Sequence, residues 1–180
     1  MMRFRKEDAL LLIIDLQERL VPVLAEPESL IRYTNVLQKM ALHYGMPILV
    51  TEQYPRGLGA TVPELEISAT KLPIIEKIKF TAYVPEVAAA LEASGKRQII
   101  VTGAETHICV YQSVLDLMAA GYEVFVPRDA VSSRTIANKE NALENFARAG
   151  AWVTNAETLL FEALGEAGTP DFKFFSGLIK

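Results

Sequence analysis

The sequence contains only one cysteine and two histidines in 180 residues. A single cysteine excludes an internal disulfide framework and every zinc or iron–sulfur site that needs several thiolates. The two histidines, His43 and His107, leave little material for a histidine-rich metal centre. We therefore predict a site with no metal and no other cofactor, whose chemistry depends on ordinary side chains.

The chain also lacks an excess of positive charge and a long hydrophobic run. Its formal net charge is −4, so nothing draws the whole molecule to nucleic acid or to an anionic membrane. The first apolar run covers only residues 9–14, which is far short of a membrane span of roughly 20 residues and too short for a signal peptide. We expect a soluble cytoplasmic protein with a small-molecule substrate.

Hydrophobic residues make up 51% of the chain, enough for one well-buried core. Apolar runs without polar alternation predict strands buried on both faces of a parallel sheet, at residues 9–15, 46–51, 73–76, 98–103, 122–126 and 151–154. Segments with a helical period lie between them, at residues 28–44, 84–94, 108–120 and 139–149. This alternation predicts a single domain over residues 1–180, an α/β fold of three layers around a mostly parallel, roughly six-stranded Rossmann-like sheet.

Reactive residue types follow the predicted strands, at the sheet edge where open parallel sheets bind ligands. Asp15 ends the first run, Lys77 and Lys79 follow the third, and Cys109 follows the fourth through the loop TGAETHI. A cysteine thiol has a pKa of about 8.5, and a nearby ammonium or helix N-terminus stabilises its thiolate. An aspartate beside the thiol can take its proton and return it to a leaving group. The set predicts an activated cysteine nucleophile.

Each of these residues also has a second interpretation. A lone cysteine in an apolar α/β protein is most often an inert core residue, and an aspartate after a strand can cap the next helix. Lys77 and Lys79 lie two apart in an extended segment, so geometry alone does not choose between them. His107 lies two residues before Cys109, and side chains at positions i and i+2 do not face each other on a helix. His107 is therefore a weaker candidate for the base and can instead line the pocket.

Several segments in order resemble the isochorismatase-like cysteine hydrolases, and within them the small isochorismatase-domain-containing proteins. They are LLIIDLQERL at 11–20, VTEQYPRGLGATVPEL at 50–65, EKIKFTAY at 76–83, VTGAETHICVYQSVLDLMAAGYEVFVPRDAVSSR at 101–134 and PDFKFFSGLIK at 170–180. The resemblance implies a catalytic triad of Asp15, Lys77 and Cys109. Lys77 fits the family pattern of a lysine, two variable residues, an aromatic and a small hydroxyl residue, and Lys79 is the fallback.

The resemblance further implies a cis peptide between Ala104 and Glu105, and an oxyanion hole made by the backbone N–H groups of Glu105 and Cys109. Nicotinamidases of this superfamily bind a metal through an Asp-x-His after the second strand, but residues 52–54 here are Glu-Gln-Tyr, so no metal is implied. True isochorismatases cleave a vinyl ether and lack the nucleophilic cysteine. Cys109 therefore favours hydrolysis of a C–N bond in a small amide, imide or carbamoyl compound through a thioester.

Two alternatives stay open: a non-catalytic binding or scaffold protein on the same fold, and an isochorismatase-type vinyl ether hydrolase. Dinucleotide binding is disfavoured because residues 15–18 contain no glycine for a close approach to a pyrophosphate. We expect the substrate pocket to be lined by Gln17, Gln53, Tyr54, Phe80, Tyr83 and His107.

Large apolar residues continue after the last predicted strand, at residues 159–164 and 172–179. Such a tail either packs back on its own domain or covers a neighbouring copy, and the sequence supports both equally. Relatives in the resembled family commonly assemble, which implies a homo-oligomer, at least a dimer.

Overall fold

The computed structural model describes residues 3–66 and 72–179, with a parallel β-sheet at the centre. Its strands are β1 (Ala9–Ile14), β2 (Ile48–Gln53), β3 (Ile74–Lys77), β4 (Gln98–Ala104), β5 (Glu123–Pro127), β6 (Val131–Ser132) and β7 (Trp152–Thr154). They lie in the order β3-β2-β1-β4-β5-β7, while β6 pairs with the end of β4. Within the described residues the sheet has seven strands, one more than the roughly six predicted, because β6 is two residues long and too short to appear as an apolar run.

Helices cover both faces of this sheet. They are α1 (Pro27–His43), α2 (Pro55–Leu58), α3 (Pro85–Ser94), α4 (Cys109–Ala119), α5 (Ile136–Ala149), α6 (Ala156–Leu164) and α7 (Pro170–Ser176). Leu37 of α1 and Phe175 of α7 are buried in the core on one face, and Val114 of α4 and Phe146 of α5 in the core on the other. The predicted three-layer α/β architecture is confirmed.

Strand β1 is an unbroken apolar run because both of its faces are buried. Leu11 and Ile13 point into one core, whereas Leu10, Leu12 and Ile14 point into the other, and all five are fully buried. Because both faces of the strand are covered, no position is left for a polar residue until the strand ends.

The order of the strands creates a crevice beside β1. The chain builds β1, β2 and β3 outward on one side and then places β4 on the other side of β1. Ile14 at the end of β1 lies opposite Thr51 of β2 and Gly103 of β4. At such a reversal of strand order the loops after the two central strands diverge to opposite faces of the sheet, and open α/β proteins bind ligands between them.

The C-terminal part differs most from the sequence-based prediction. Helix α5 begins at Ile136 and not at residue 139, because the Thr135 side chain accepts a hydrogen bond from the Asn138 N–H and caps the helix. Leu160 and Phe175 in the apolar tail are buried in the core of this same chain. Packing on its own domain thus accounts for much of the tail. None of the described helices is long and apolar enough to cross a membrane.

Candidate active site

Side chains from three strand ends meet in one buried cluster beside the reversal of strand order. Asp15 follows β1, Lys77 ends β3 and Cys109 begins α4. Lys77 Nζ lies 2.6 Å from Asp15 Oδ2, and both side chains are fully buried. The Cys109 thiol lies beside the Asp15 carboxylate, close enough for each group to shift the pKa of the other. The structure thus brings together the three residues of the predicted triad.

Asp15 occupies an unusual backbone conformation that its neighbours hold in place. Its φ is +54°, in the left-handed region that non-glycine residues seldom adopt. The Asp15 N–H donates to the Thr51 carbonyl at 3.1 Å, and the Gln17 N–H donates to the Asp15 carbonyl at 3.1 Å. The Thr51 hydroxyl donates to Asp15 Oδ1 at 2.7 Å. These contacts fix the carboxylate with Oδ2 turned toward Lys77.

Lys77 reaches across the end of β2 to the carboxylate. Its Nζ donates to Asp15 Oδ2 at 2.6 Å, to Gln53 Oε1 at 2.8 Å, to the Phe80 carbonyl at 3.0 Å and to the Lys79 carbonyl at 3.3 Å. An ammonium has three N–H donors, so one of them is shared between two acceptors. Lys79 is exposed and contributes only its carbonyl. Lys77, and not Lys79, therefore occupies the position beside Asp15.

A glycine at the end of β4 allows the cysteine loop to lie against β1. A Cβ atom at Gly103 would stand 2.0 Å from the Ile14 carbonyl oxygen, and the φ of Gly103 is +124°. Residues with a side chain seldom adopt that backbone conformation. The next peptide bond along the chain, Ala104–Glu105, is cis. This close approach carries the loop that precedes Cys109 to the Asp15 side of the crevice.

The loop before α4 presents backbone N–H groups around the sulfur. The Glu105 backbone lies beside the Cys109 sulfur and acts to lower the pKa of the thiol, while the Glu105 carbonyl accepts from the N–H groups of Ile108 and Val110 at 3.0 and 3.2 Å. Arg134 holds the Glu105 carboxylate through its backbone N–H at 2.9 Å and its Nε at 3.1 Å. In the described part of the chain the Cys109 N–H has no hydrogen-bond acceptor. The N–H groups of Glu105 and Cys109 are therefore the candidates for the predicted oxyanion hole.

Burial dominates the protonation of the cluster. It raises the pKa of Cys109 to about 12, with help from the Asp15 charge, while Lys77 and the Glu105 N–H act in the opposite direction. Burial also raises the pKa of Asp15, while Lys77, the hydrogen bond from Thr51 and the neighbouring Cys109 thiol act to lower it. The resting sulfur is therefore a neutral thiol. This differs from the sequence-based expectation of a stabilised thiolate, because the Lys77 ammonium is paired with Asp15.

A cavity of about 320 Å³ opens onto the sulfur. Its wall is mostly apolar, with two arginines; the lining residues are Arg19, Leu20, Val23, Gln53, Leu58, Phe80, Glu105, Ile108, Cys109 and Arg134. Gln53 and Phe80 belong to the predicted pocket, and Glu105 and Cys109 to the predicted oxyanion hole. Its size suits a small molecule of roughly ten non-hydrogen atoms, if each occupies about the volume of a water molecule in the liquid.

Four predicted pocket residues lie outside this lining. Gln17 is fully buried, and its amide is committed to the backbone of Gln53 and to the Gly59 carbonyl. Tyr54 lines a neighbouring cavity of about 360 Å³, because its left-handed backbone, with a φ of +38°, turns the chain away. Tyr83 packs edge-on against Tyr122, with ring centroids 6.4 Å apart.

The fourth residue outside the lining is His107. Its ring nitrogens face Ser133 Oγ at 3.0 Å and Asn138 Nδ2 at 3.3 Å. Both nitrogens are therefore directed toward the β6–α5 segment and away from the sulfur. His107 is therefore not part of the cluster of Asp15, Lys77 and Cys109.

The two arginines were missed by sequence reasoning. Arg19 lies four residues after Asp15 in the same strand-end loop, so its position alone could have made it a candidate. Arg134 follows β6. Because the sequence does not predict β6, it gives no reason to place Arg134 at the sheet edge. Among residues 3–66 and 72–179 no group of three or more histidine, cysteine, aspartate or glutamate side chains is arranged to hold a metal ion.

The fold and the buried cluster define an α/β protein with its site at the reversal of strand order, and sequence comparison identifies the family. The isochorismatase domain profile matches residues 9–158. The chain therefore belongs to the isochorismatase family, whose members are hydrolases. The resemblance seen in the sequence segments is confirmed.

Curated relatives cover most of this chain. Isochorismatase domain-containing protein 1 of Danio rerio is 39% identical over 167 residues, which are 92% of this chain and 59% of that protein. The chain thus spans less than two thirds of the length of that relative. The secreted isochorismatase effector Isc1 of Phytophthora sojae is 36% identical and aligns with 99% of this chain and 87% of its own. Because one relative is secreted, a cytoplasmic location for this chain stays a prediction.

Solved structures share the whole fold. The MAR1 ribonuclease of Caenorhabditis elegans is 34% identical with a TM-score of 0.92, covering 99% of this chain and 92% of that one. The YcaC gene product of Escherichia coli, described as an octameric hydrolase of unknown specificity, is 25% identical with a TM-score of 0.89, covering 98% of this chain and 90% of that one. The names of these similar proteins do not agree on a substrate.

Proposed function

We propose that this protein is a cysteine hydrolase that cleaves a C–N bond in a small amide, imide or carbamoyl compound. One observation carries the proposal. The Cys109 thiol lies beside the Asp15 carboxylate, which is 2.6 Å from the Lys77 ammonium, and a cavity opens onto the sulfur. A nucleophile, a base and a group that holds the base ionised are thus in contact.

In the proposed first half-reaction, Asp15 takes the thiol proton while Cys109 Sγ attacks the substrate carbonyl carbon. The oxygen of the tetrahedral intermediate accepts hydrogen bonds from the N–H groups of Glu105 and Cys109. The protonated Asp15 then gives its proton to the substrate nitrogen, the C–N bond breaks and the amine leaves. The enzyme is left as a thioester.

In the second half-reaction, water attacks the thioester carbon and Asp15 accepts a proton from it. The tetrahedral intermediate collapses to a carboxylic acid, or to a carbamic acid from a carbamoyl substrate, and the proton on Asp15 returns to the sulfur. Lys77 does not exchange protons in this scheme. It favours the ionised form of Asp15 in a site where burial favours the neutral acid.

Other functions are less well supported. One similar protein is named as a ribonuclease, which makes RNA a second candidate substrate. The net charge of −4 does not favour the binding of a polyanion such as RNA. A vinyl ether hydrolase has no use for the thiol beside Asp15. A binding or scaffold protein would not need a carboxylate and an ammonium buried at 0% exposure beside that thiol, an arrangement that is expensive to maintain.

The test is a screen of small amides, imides and carbamoyl compounds, with released ammonia or amine as the readout, against the wild type and Cys109→Ala. We expect kcat to fall by several orders of magnitude in Cys109→Ala, because the attacking atom is gone, with little change in thermal midpoint. Lys79→Met, an exposed substitution beside the site, is the matched control and keeps full activity. Retained hydrolysis in a folded Cys109→Ala protein, or cleavage of RNA and of no amide, imide or carbamoyl compound, would refute the proposal.

We also propose a homo-oligomer. Support comes from the octameric relative and from exposed apolar side chains near the outer strand β3: Ile74 is 45%, Ile78 80% and Phe80 53% exposed. An edge strand with exposed apolar side chains is a common place for self-association. Phe80 also lines the cavity, so this surface adjoins the candidate site.

A further inference from the structure

The turn before α4 is bonded at successive residues to β6 and to the residues that follow it. Arg134 donates to the Glu105 carboxylate from its backbone N–H at 2.9 Å and from its Nε at 3.1 Å. The Thr106 N–H donates to the Ser132 carbonyl at 2.9 Å. The next residue is His107, whose ring makes the third connection. The same turn leads to the N–H groups that are the candidates for the oxyanion hole.

The His107 ring bridges the segment after β6 and the first turn of α5. Its Nδ1 lies 3.0 Å from Ser133 Oγ, and its Nε2 lies 3.3 Å from Asn138 Nδ2. Ser133 is fully buried, and its carbonyl accepts from the Ala25 N–H at 2.9 Å. Within the described part of the chain, the contact with Asn138 is the only hydrogen bond between residues 104–108 and α5. His107 therefore connects the turn both to a buried segment and to a helix of 14 residues.

The two contacts determine which ring nitrogen carries the proton. Asn138 Nδ2 is an amide nitrogen, which donates hydrogen bonds and does not accept them. The Nε2 of His107 is therefore the acceptor and carries no proton. In a neutral imidazole the proton is then on Nδ1, which donates to Ser133 Oγ. The bridge thus requires the Nδ1–H form of the ring.

We infer that His107 is a positioning residue for the oxyanion hole, an inference that rests on the acyl-transfer step of the proposed function. His107 lies midway between Glu105 and Cys109, two residues from each. Because the ring holds the middle of the turn to Ser133 and to α5, it fixes the separation and the direction of the two backbone N–H groups. Donors that are already in place need no rearrangement as the oxyanion forms. The ring points away from the sulfur and exchanges no proton with the substrate.

The test compares the acylation of Cys109 by p-nitrophenyl acetate with its alkylation by iodoacetamide. In acylation the sulfur bonds to a carbonyl carbon, an oxyanion forms, and the C–O bond to p-nitrophenolate then breaks. In alkylation the sulfur displaces iodide from a saturated carbon, and no oxyanion forms. Both reactions need the deprotonated sulfur, so the ratio of their rates cancels any difference in thiol ionisation between variants. The reaction of Cys109→Ala gives the background, which is subtracted.

The ratio of acylation to alkylation should depend on His107. In the wild type we expect this ratio to exceed that of the urea-unfolded chain, because the folded site supplies the oxyanion hole. His107→Ala lowers it by about tenfold or more, a part of the roughly hundredfold to thousandfold effect of one oxyanion-hole donor. A variant whose site was merely loosened would expose the thiol and be alkylated faster than the wild type, whereas loss of positioning slows acylation and leaves alkylation unchanged.

Three further variants complete the test. His107→Gln regains part of the ratio, because a glutamine oxygen reaches about as far as the ring Nε2 and can accept from Asn138. Asn138→Ala leaves the ring in place and removes only the contact with α5, so it lowers the ratio less than His107→Ala. The matched control is His43→Ala, at the other histidine of the chain. His43 pairs with Asp171 at 3.1 Å on the opposite face of the sheet from Cys109, and its variant keeps the wild-type ratio.

The outcomes separate this inference from the proposed function, because neither reagent contains a C–N bond that must be cleaved. An unchanged ratio in a folded His107→Ala protein, an equal fall in His43→Ala, or a wild-type ratio no higher than that of the unfolded chain would overturn the positioning role. If no amide is hydrolysed but the ratio falls in His107→Ala alone of the two histidine variants, C–N hydrolysis fails and the positioning role stands. If amides are hydrolysed and the ratio does not depend on His107, only the positioning role is refuted.

Discussion

Replacing Lys77 with methionine tests the buried ion pair directly. The Lys77 ammonium is fully buried and donates to four oxygen acceptors, the shortest contact being 2.6 Å to Asp15 Oδ2. Methionine fills a similar volume but supplies no charge and no donor. Asp15 is then left without its cation, at a position where burial already raises its pKa. We expect the folded variant to neutralise Asp15 by taking up a proton.

The cost of that proton sets the loss of stability. An aspartate in the unfolded chain has a pKa of about 3.9. Keeping the carboxyl protonated in the folded state costs about 1.4 kcal/mol for each pH unit above that value, so folding is about 4 kcal/mol less favourable at pH 7. Measured losses on removing one partner of a buried pair are about 3–5 kcal/mol. The folded Lys77→Met protein binds one more proton than its unfolded state. Its stability is therefore higher below the unfolded pKa and falls as pH rises. At pH 5 the deficit shrinks to about 1.5 kcal/mol.

Urea unfolding at pH 5 and pH 7 measures both values. Lys79→Met, at an exposed position two residues away, is the control and is expected to change stability by less than about 0.5 kcal/mol. The double variant Asp15→Asn/Lys77→Met regains much of the lost stability, because no charge is left to neutralise, yet it has no hydrolase activity. Equal stability of Lys77→Met and Lys79→Met at pH 7 would refute the view that the pair is a buried ion pair.

Three further outcomes can be checked. Because burial raises the pKa of Cys109 to about 12, its alkylation rate should rise steadily from pH 6 to pH 10 without a plateau, and a plateau near pH 7 would contradict the neutral thiol. Gly103→Ala, whose Cβ would stand 2.0 Å from the Ile14 carbonyl oxygen, should lower the unfolding midpoint far more than Gly95→Ala, which also has a positive φ but open space around it. Light scattering should give a multiple of the 19.9 kDa chain mass, and a constant mass near one chain at every concentration would contradict self-association.

The strands and the residues at their ends were predictable because parallel sheets impose a strong pattern. A strand covered on both faces has no polar positions, so β1, β2 and β4 appear in the sequence as apolar runs, and the first polar residue after a run marks the sheet edge. Asp15 was found in this way. The carboxyl ends of parallel strands meet at one edge, so Lys77 and Cys109 followed from the same reasoning, although choosing Lys77 over Lys79 required the family pattern.

The pocket wall was less predictable, because strand-end position does not determine which way a side chain turns. Gln17 is directed into the chain by hydrogen bonds to the backbone of Gln53 and to Gly59, and His107 turns toward Ser133. Arg134 enters the site from a two-residue strand with no apolar run. These placements depend on contacts between residues more than 20 positions apart, which no local pattern records.

The protonation state of the sulfur shows most clearly what the residue types alone leave open. A cysteine, a lysine and an aspartate at one sheet edge are compatible with either a thiolate held by the lysine or a neutral thiol beside an ionised aspartate. The geometry separates the two, because the Lys77 ammonium contacts Asp15 Oδ2 at 2.6 Å and one positive charge cannot fully compensate two buried anions. A thiolate in the resting site would face the Asp15 carboxylate, and that repulsion, added to burial, raises the pKa of Cys109. In the proposed mechanism, the nucleophile therefore forms only as Asp15 removes the thiol proton during attack.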